Sequence, residues 1–165
     1  MKTLIVYATN HGTSEQIAKI IAEKAADEID LVNLKKEKII DLHPYEQIII
    51  GGSIHAGTIQ KSLRRFIEGS MSQLLQKRIG LFLSCMHDQK AQEQFEMVFP
   101  EILRVHAQSK QLTGGEFRFD KMNFMERAIV KKVAGISDSI NRINHNAIEN
   151  LVNEMDLNKS KKNER

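Results

Sequence analysis

Short apolar segments alternate with helical patterns along nearly the whole chain, and this alternation limits the fold more than any other feature. The segment at residues 47–52 carries Ile48, Ile49 and Ile50 in an unbroken run, which is typical of a strand buried on both faces. Strands that alternate with helices favour an α/β fold with a parallel sheet. The predicted strands cover residues 3–8, 30–34, 47–52, 78–84 and 110–119, and the predicted helices cover residues 14–28, 60–75, 89–108, 121–134 and 137–155.

Individual residues indicate where these predicted helices and strands begin or are interrupted. Pro100 interrupts the helical region at residues 89–108, and Gly114 and Gly115 break the fifth strand. Thr13 and Gln16 have the spacing of a capping box at the start of the first helix.

The chain of 165 residues has the size of one compact domain. We predict that residues 1–157 form this domain. The tail at residues 158–165 has no apolar side chain to bury, so we predict that it is disordered.

Cysteine usage and hydropathy predict a cytoplasmic protein. Cys85 is the single cysteine of the chain and has no internal disulfide partner, which fits a reducing compartment. The apolar run at the N-terminus is too short for the core of a signal peptide, and no segment approaches the ~18 apolar residues of a membrane span. The net charge of +3 is a weak indication of an acidic partner.

Three polar loops follow the first, third and fourth predicted strands. They read TNHGTS at residues 9–14, SIHAG at 53–57 and SCMHD at 84–88. In an open parallel sheet, ligands bind outside the carboxyl ends of the strands, near the point where the strand order reverses. We therefore expect the ligand site among these loops.

The first loop has the features of a phosphate site. It leads directly from a strand into a helix, where backbone N–H groups and the helix dipole favour an anion. Thr13 and Ser14 add hydroxyl donors, Gly12 allows close approach of the backbone, and the loop contains no lysine or arginine. Neutral donors suit an enclosed phosphate monoester such as that of FMN. The alternative is that Thr13 and Ser14 only cap the helix.

Other nucleotide-binding classes are excluded by their motifs. The chain has no G-x-G-x-x-G after the first strand and no G-x-x-x-x-G-K-[ST], which argues against the usual dinucleotide site and against a P-loop phosphotransferase. The first and third strands do not end in Asp, as they would in a phosphoacceptor receiver domain of this architecture.

The pattern Thr9-x-x-Gly12-Thr13-Ser14 resembles the FMN phosphate loop of flavodoxins. The segments IGGSIHAG at residues 50–57 and GGEFRF at 114–119 resemble one branch, the flavodoxin-like menaquinone-dependent protoporphyrinogen dehydrogenases. That branch is similar in length and also basic, whereas ordinary flavodoxins are acidic.

This resemblance implies a flavodoxin-like three-layer α/β sandwich with a five-stranded parallel sheet in the order 2-1-3-4-5. It also implies FMN as the cofactor and three groups of binding residues. The phosphate would be held by Thr9, Asn10, His11, Gly12, Thr13 and Ser14. One side of the ring system would be flanked by Ser53, Ile54, His55, Ala56 and Gly57. The other side would be closed by Ser84, Cys85, Met86 and His87.

The chain departs from the protoporphyrinogen branch at three places. Asn10-His11 and His55-Ala56 replace basic residues in the first loop and an Arg–aromatic pair in the second. The segment at residues 88–93 replaces a longer, more basic insertion. These changes leave the FMN prediction in place and leave the substrate open.

Individual side chains admit several interpretations. Each of the three loops contains one histidine: His11, His55 and His87. These histidines are unrelated loop residues, or they form a metal site, or His55 acts as a catalytic residue that raises the redox potential of the flavin. We predict no metal. Cys85 is either redox-active or a small buried apolar residue.

The helix at residues 121–134 has two distinct faces. Met122, Met125, Ile129 and Val133 form a stripe that predicts core packing. Phe124, Arg127 and Lys131 lie near the opposite side, either as a solvated basic face or as a contact with a membrane surface, a quinone site or a partner.

Two functional hypotheses follow. The first is an FMN-dependent oxidoreductase that passes electrons to a quinone or a redox partner protein and contacts a membrane surface peripherally through Phe124, Arg127 and Lys131. The alternative is a flavodoxin-type electron carrier with no substrate of its own. No nucleic-acid partner is predicted.

Overall fold

A computed structural model describes residues 1–38, 40–54, 57–117, 119–135 and 139–159. Its main sheet has five parallel strands in the order β2-β1-β3-β4-β5, which confirms the predicted fold class and strand order. The strands are β1 (Thr3–Tyr7), β2 (Ile29–Asn33), β3 (Gln47–Ser53), β4 (Arg78–Ser84) and β5 (Ser109–Leu112).

Helices cover both faces of this sheet. They are α1 (Thr13–Lys24), α2 (Lys61–Leu74), α3 (Ala91–Val98), α4 (Glu101–His106), α5 (Phe124–Ala134) and α6 (His145–Glu154). Pro100 lies between α3 and α4, so the predicted interruption is confirmed.

The two cores follow from the alternation of side chains along each strand. Leu4 and Val6 of β1 pack in the core beneath α2 and α3, whereas Ile5 and Tyr7 pack in the core beneath α1 and α6. All five residues of β1 are buried. The sheet is therefore covered on both faces, as the unbroken apolar run of β3 predicts.

A second, two-stranded sheet was not expected from the sequence. β6 (Gly114–Phe117) pairs antiparallel with β7 (Ile140–Ile143). The predicted break of the fifth strand near Gly114 is confirmed, since Gly114 has a φ of 64° and redirects the chain. The part beyond Leu112 was wrongly predicted to continue the main sheet, because it belongs to this second sheet. The predicted helix at residues 137–155 is also wrong at its start, since β7 comes before α6.

The start of α1 differs from the prediction in a way that concerns the ligand. Gly12, with a φ of 92°, is the N-cap residue, and no side chain caps the helix. The predicted capping box of Thr13 and Gln16 is therefore wrong. A capping box is instead found in α5, where the Asn123 side chain accepts from the N–H of Glu126 at 2.9 Å.

Within the described residues, no helix combines the length and the apolar character that crossing a membrane requires. Residues 160–165 lie outside the described part, so the disordered tail and the domain limit at residue 157 stay predictions.

Candidate functional site

A cavity of about 440 Å³ lies at the carboxyl ends of β1, β3 and β4. This is the edge at which the sequence places the ligand. Nine of the predicted site residues line the cavity: His11, Thr13, Ser53, Ile54, Gly57, Ser84, Cys85, Met86 and His87. The three loops thus meet around one space, while Thr9, Asn10, Gly12 and Ser14 stand beside it in the first loop. His55 and Ala56 lie outside the described residues.

The first loop is closed by a hydrogen bond within itself. The backbone N–H of Gly12 donates to Oγ1 of Thr9 at 2.8 Å, and the N–H of Gln16 donates to the Gly12 carbonyl at 2.9 Å as the first bond of α1. Thr9 is buried, and its hydroxyl oxygen serves as the acceptor, so its own proton is left for donation to a ligand.

The donors at the start of α1 fit a phosphate monoester. The backbone N–H groups of Thr13, Ser14 and Glu15 occupy the first turn, where helix geometry provides no intrahelical acceptor. The Ser14 hydroxyl is fully buried and has no hydrogen-bond partner among the described residues. Because neither Thr13 nor Ser14 caps the helix, capping does not explain these hydroxyls. The residues present therefore fit the phosphate of FMN.

The nearest carboxylate in the helix is engaged elsewhere. Oε1 of Glu15 lies 3.3 Å from Nζ of Lys19, and the Glu15 carboxylate also interacts with the hydroxyl of Tyr7. Burial, followed by the charge of Glu15, raises the pKa of Tyr7 to about 12. Tyr7 therefore stays protonated at neutral pH, and its hydroxyl donates a hydrogen bond to the Glu15 carboxylate close to the phosphate loop.

The second and third loops are tied to each other and to the sheet. The N–H of Ile54 donates to the Ser84 carbonyl at 2.9 Å, and the N–H of Cys85 donates to the Gly114 carbonyl at 2.9 Å. Nε2 of Gln60 donates to Oγ of Ser53 at 3.1 Å. These bonds fix the spacing of the two loops that would flank the flavin ring.

Cys85 has the environment of a buried structural thiol. Its Sγ donates to Oε1 of Gln94 at 2.6 Å, and burial raises the pKa of the thiol above its usual range. A raised pKa lowers the fraction of reactive thiolate at neutral pH. These observations favour the interpretation of Cys85 as a small buried residue that lines the cavity.

β6 and α5 form a roof over the cavity, which the main sheet alone would leave open. The roof contributes Glu116 from β6, Met122 from the turn before α5, and Glu126, Ile129 and Val130 from α5. Its close approach depends on Gly115, where an added Cβ would lie 2.9 Å from Oγ of Ser84. The glycine pair that interrupts the predicted strand thus brings the roof against β4.

Seven lining residues were not predicted from the sequence. They are Lys90, Gln94, Glu116, Met122, Glu126, Ile129 and Val130. Met122, Met125 and Ile129 were predicted to pack in the core as one helical stripe, and the prediction is confirmed for Met122 and wrong for Met125 and Ile129. Met125 is 73% exposed and Ile129 is 47% exposed, while Met122 is buried in the cavity wall. The side chain of Val133 is not among those described.

The opposite side of α5 is exposed, as its spacing predicts. Phe124 is 86% exposed, and Arg127, Lys131 and Lys132 are exposed beside it. The helix thus presents apolar and cationic side chains outward and lines the cavity with its inner face.

Metal binding finds no support in the described ranges. Those ranges contain no group of three or more His, Cys, Asp or Glu residues that could hold a metal ion. His11 instead lies beside Glu126, with 3.3 Å between Nε2 and Oε2.

Comparison with known sequences gives a family and one curated relative. The family profile described as "Flavodoxin domain" matches residues 4–142. The chain is also similar to protoporphyrinogen IX dehydrogenase (quinone) from Leishmania major, with 26% identity over 156 residues, which cover 86% of this chain and 68% of the relative.

Solved structures with the same architecture include flavodoxins. Oxidised flavodoxin 1 from Bacillus cereus has 20% identity and a TM-score of 0.50, with 69% of this chain and 82% of that chain covered. A short-chain flavodoxin associated with a non-canonical PDU bacterial microcompartment has 13% identity and a TM-score of 0.54, with 84% and 100% covered. At these identities the likeness shows the fold alone.

Proposed function

Because the chain belongs to the flavodoxin family, whose profile spans residues 4–142, we propose that this flavoprotein is an FMN-dependent oxidoreductase. It passes electrons from a substrate through FMN to a quinone or a protein acceptor. The cofactor is FMN. The observation that carries the proposal is the roofed cavity of about 440 Å³, which joins a phosphate loop to a space bounded by both polar and apolar side chains.

The protein's part in this chemistry is binding, orientation and electrostatics. Bound FMN supplies the hydride or electron transfer itself. Residues 9–14 would hold the phosphate, residues 53–57 would flank one side of the ring system, and residues 84–87 would close the other side. The roof excludes water, which strengthens electrostatic interactions inside the site.

The roof also favours an enzyme that binds its own substrate over an electron carrier that has none. A carrier must exchange electrons with another protein at an exposed edge, whereas here β6 and α5 enclose a space beside the loops. Lys90 and His87 lie on the β4 side of this space and can pair with an acidic group of a substrate. The curated relative is, by its name, a quinone-dependent dehydrogenase of protoporphyrinogen IX, so a porphyrinogen is the first substrate to test.

A paired assay separates the enzyme from the carrier. The purified holoprotein is given protoporphyrinogen IX with a soluble menaquinone analogue, and porphyrin formation is followed by fluorescence. In parallel, reduction of the holoprotein by a flavodoxin reductase is followed by absorbance. Turnover in the first assay supports the proposal. Rapid reduction in the second assay without turnover in the first supports the alternative, an electron carrier.

We propose His55 as the catalytic residue that tunes the flavin. Reduction adds negative charge to the ring, and a neighbouring imidazole that carries or shares a proton favours that charge. The variant His55→Ala is therefore expected to have a lower midpoint potential, with a flatter pH dependence between about pH 5 and 8. Its affinity for oxidised FMN should change little. Spectroelectrochemical titration measures both quantities, and curves that superimpose on the wild type would show that His55 has no such role.

The exposed face of α5 is proposed as a peripheral membrane contact. Phe124 and Met125 are exposed on the same helix as the exposed cations Arg127, Lys131 and Lys132, a pattern that suits an anionic lipid surface. Phe124→Ser is expected to weaken binding to phosphatidylglycerol vesicles by about tenfold. Val105→Ser removes a side chain of α4 that is 77% exposed, so it serves as the control that should leave binding unchanged. Equal vesicle binding by both variants would contradict the contact.

A further inference from the structure

One contact joins the roof of the cavity to the phosphate loop. Nε2 of His11 lies 3.3 Å from Oε2 of Glu126, which is an ion-pair distance when the imidazole is protonated. The side chains are 14% and 28% exposed, and both line the cavity. The pair therefore spans the edge of the site, from the loop before α1 to the first turn of α5.

Glu126 is held in place by its own helix. It is the third helical residue of α5, and its Oε2 accepts from the N–H of Asn123 at 3.3 Å while its N–H donates to the Asn123 side chain. Nε of the neighbouring Arg127 donates to the Phe119 carbonyl at 2.7 Å, which anchors the same turn to the chain before it. These bonds tie the Glu126 carboxylate to the first turn of α5, so the contact with His11 links the phosphate loop to the helix.

The inner face of α5 offers other contacts that are less specific. Ile129 and Val130 line the cavity with apolar side chains, and apolar contacts are non-directional. They favour closure without fixing where α5 rests. The contact between Glu126 and His11 adds direction, because it joins two atoms on opposite sides of the cavity edge.

We propose that the pair of His11 and Glu126 is a latch that holds α5 over bound FMN and thereby sets the rate of FMN release. Glu126 acts as a positioning residue for the roof. The inference rests on the proposed function in one respect, that FMN occupies this cavity, and it requires nothing of the substrate or the acceptor.

The latch and simple electrostatics predict opposite signs. Glu126 places a negative charge near the loop that holds the phosphate, so simple repulsion predicts that its removal slows FMN release. If the latch holds α5 closed, removal of the same charge frees the roof and FMN leaves faster. Glu126→Gln is a clean test, because glutamine at this helical position preserves the capping box with Asn123.

The experiment is a double-mutant cycle of flavin release rates. FMN release from wild type, His11→Asn, Glu126→Gln and the double variant is followed by recovery of flavin fluorescence. Each single variant is expected to release FMN about five to ten times faster, and the double variant no faster than either single one. Lys131→Gln, which removes a charge from the outer face of α5, should release FMN at the wild-type rate.

Riboflavin, which lacks the phosphate, separates the latch from direct phosphate binding by His11. The latch predicts that His11→Asn accelerates release of riboflavin as well as of FMN. Slower or unchanged release from Glu126→Gln, additive effects in the double variant, or an effect of His11→Asn on FMN alone would each overturn the latch. Failure of the wild-type protein to bind either flavin would instead contradict the proposed function, and the latch with it.

Discussion

Replacement of Thr13 by Asp is expected to weaken FMN binding at least about a hundredfold more than replacement by Asn. Thr13 is the first residue of α1 and lines the cavity at the phosphate loop. Asp and Asn have nearly the same shape, so the two variants differ mainly by one negative charge. Two like charges about 4 Å apart repel by about 4 kcal/mol at an effective dielectric constant of 20, and about 1.4 kcal/mol corresponds to a tenfold change in affinity.

Two controls assign this loss to the phosphate. Riboflavin should bind both variants with affinities within about threefold of each other, because it has no phosphate to repel. The flavin-free Asp variant should be at least as stable as the Asn variant, since a carboxylate in the first turn interacts favourably with the helix dipole by about 0.3–1 kcal/mol. Equal FMN affinity of two folded variants would place the phosphate away from α1.

The second large effect concerns the sheet beneath the site. Gly51 of β3 pairs with Phe82 of β4, and a Cβ added at Gly51 would lie 1.9 Å from Cζ of the Phe82 ring. Phe82 is fully buried, so its ring has little room to move. Gly51→Ala is therefore expected to lower the free energy of unfolding by about 3 kcal/mol, and the melting temperature by about 6–12 °C.

A compensating change makes this prediction specific. The three atoms closest to the added Cβ are Cζ, Cε1 and Cε2 of Phe82, and Phe82→Leu removes all three. The double variant should therefore be more stable than the sum of the single effects predicts. Gly69→Ala in α2 is the matched control, because an added Cβ there meets nothing within 4 Å and should stabilise the helix slightly. Additive losses in denaturant unfolding would show that the ring and the added methyl do not clash.

The main sheet could be predicted because each of its strands carries its own signal. Ile48, Ile49 and Ile50 require a strand that is buried on both faces, and helical spacing follows each strand along the chain. Since the carboxyl ends of parallel strands meet at one edge, the positions of the three loops follow from the strand assignment. Nine residues of these loops were thereby predicted to share the space in which the structure places them.

The roof could not be predicted in the same way, because its position depends on contacts between distant parts of the chain. β6 and β7 have four residues each, and Gly114 pairs with Ile143, far along the sequence. Segments this short carry too few residues to show a periodicity. The stripe of Met122, Met125 and Ile129 indicates a helix, which α5 confirms from Phe124 onward while Met122 lies in the turn before it. A helical period does not reveal whether a face meets a core, a cavity or solvent.

The phosphate loop illustrates how a local pattern can mislead about detail and still locate the site. Thr13 and Gln16 have the spacing of a capping box, yet Gly12 takes the N-cap position with a left-handed φ. The hydroxyls of Thr13 and Ser14 are consequently not used by the helix. Sequence spacing identifies these side chains as donors, while only the backbone conformation shows that they are available to a ligand.

The identity of the bound flavin tests the central claim most directly. Flavin is released from the purified protein by heat, separated by chromatography and quantified against the protein. We expect FMN, one molecule per chain, since the first loop suits a terminal phosphate monoester. FAD in its place, or no bound flavin even after incubation with excess FMN, would contradict the account.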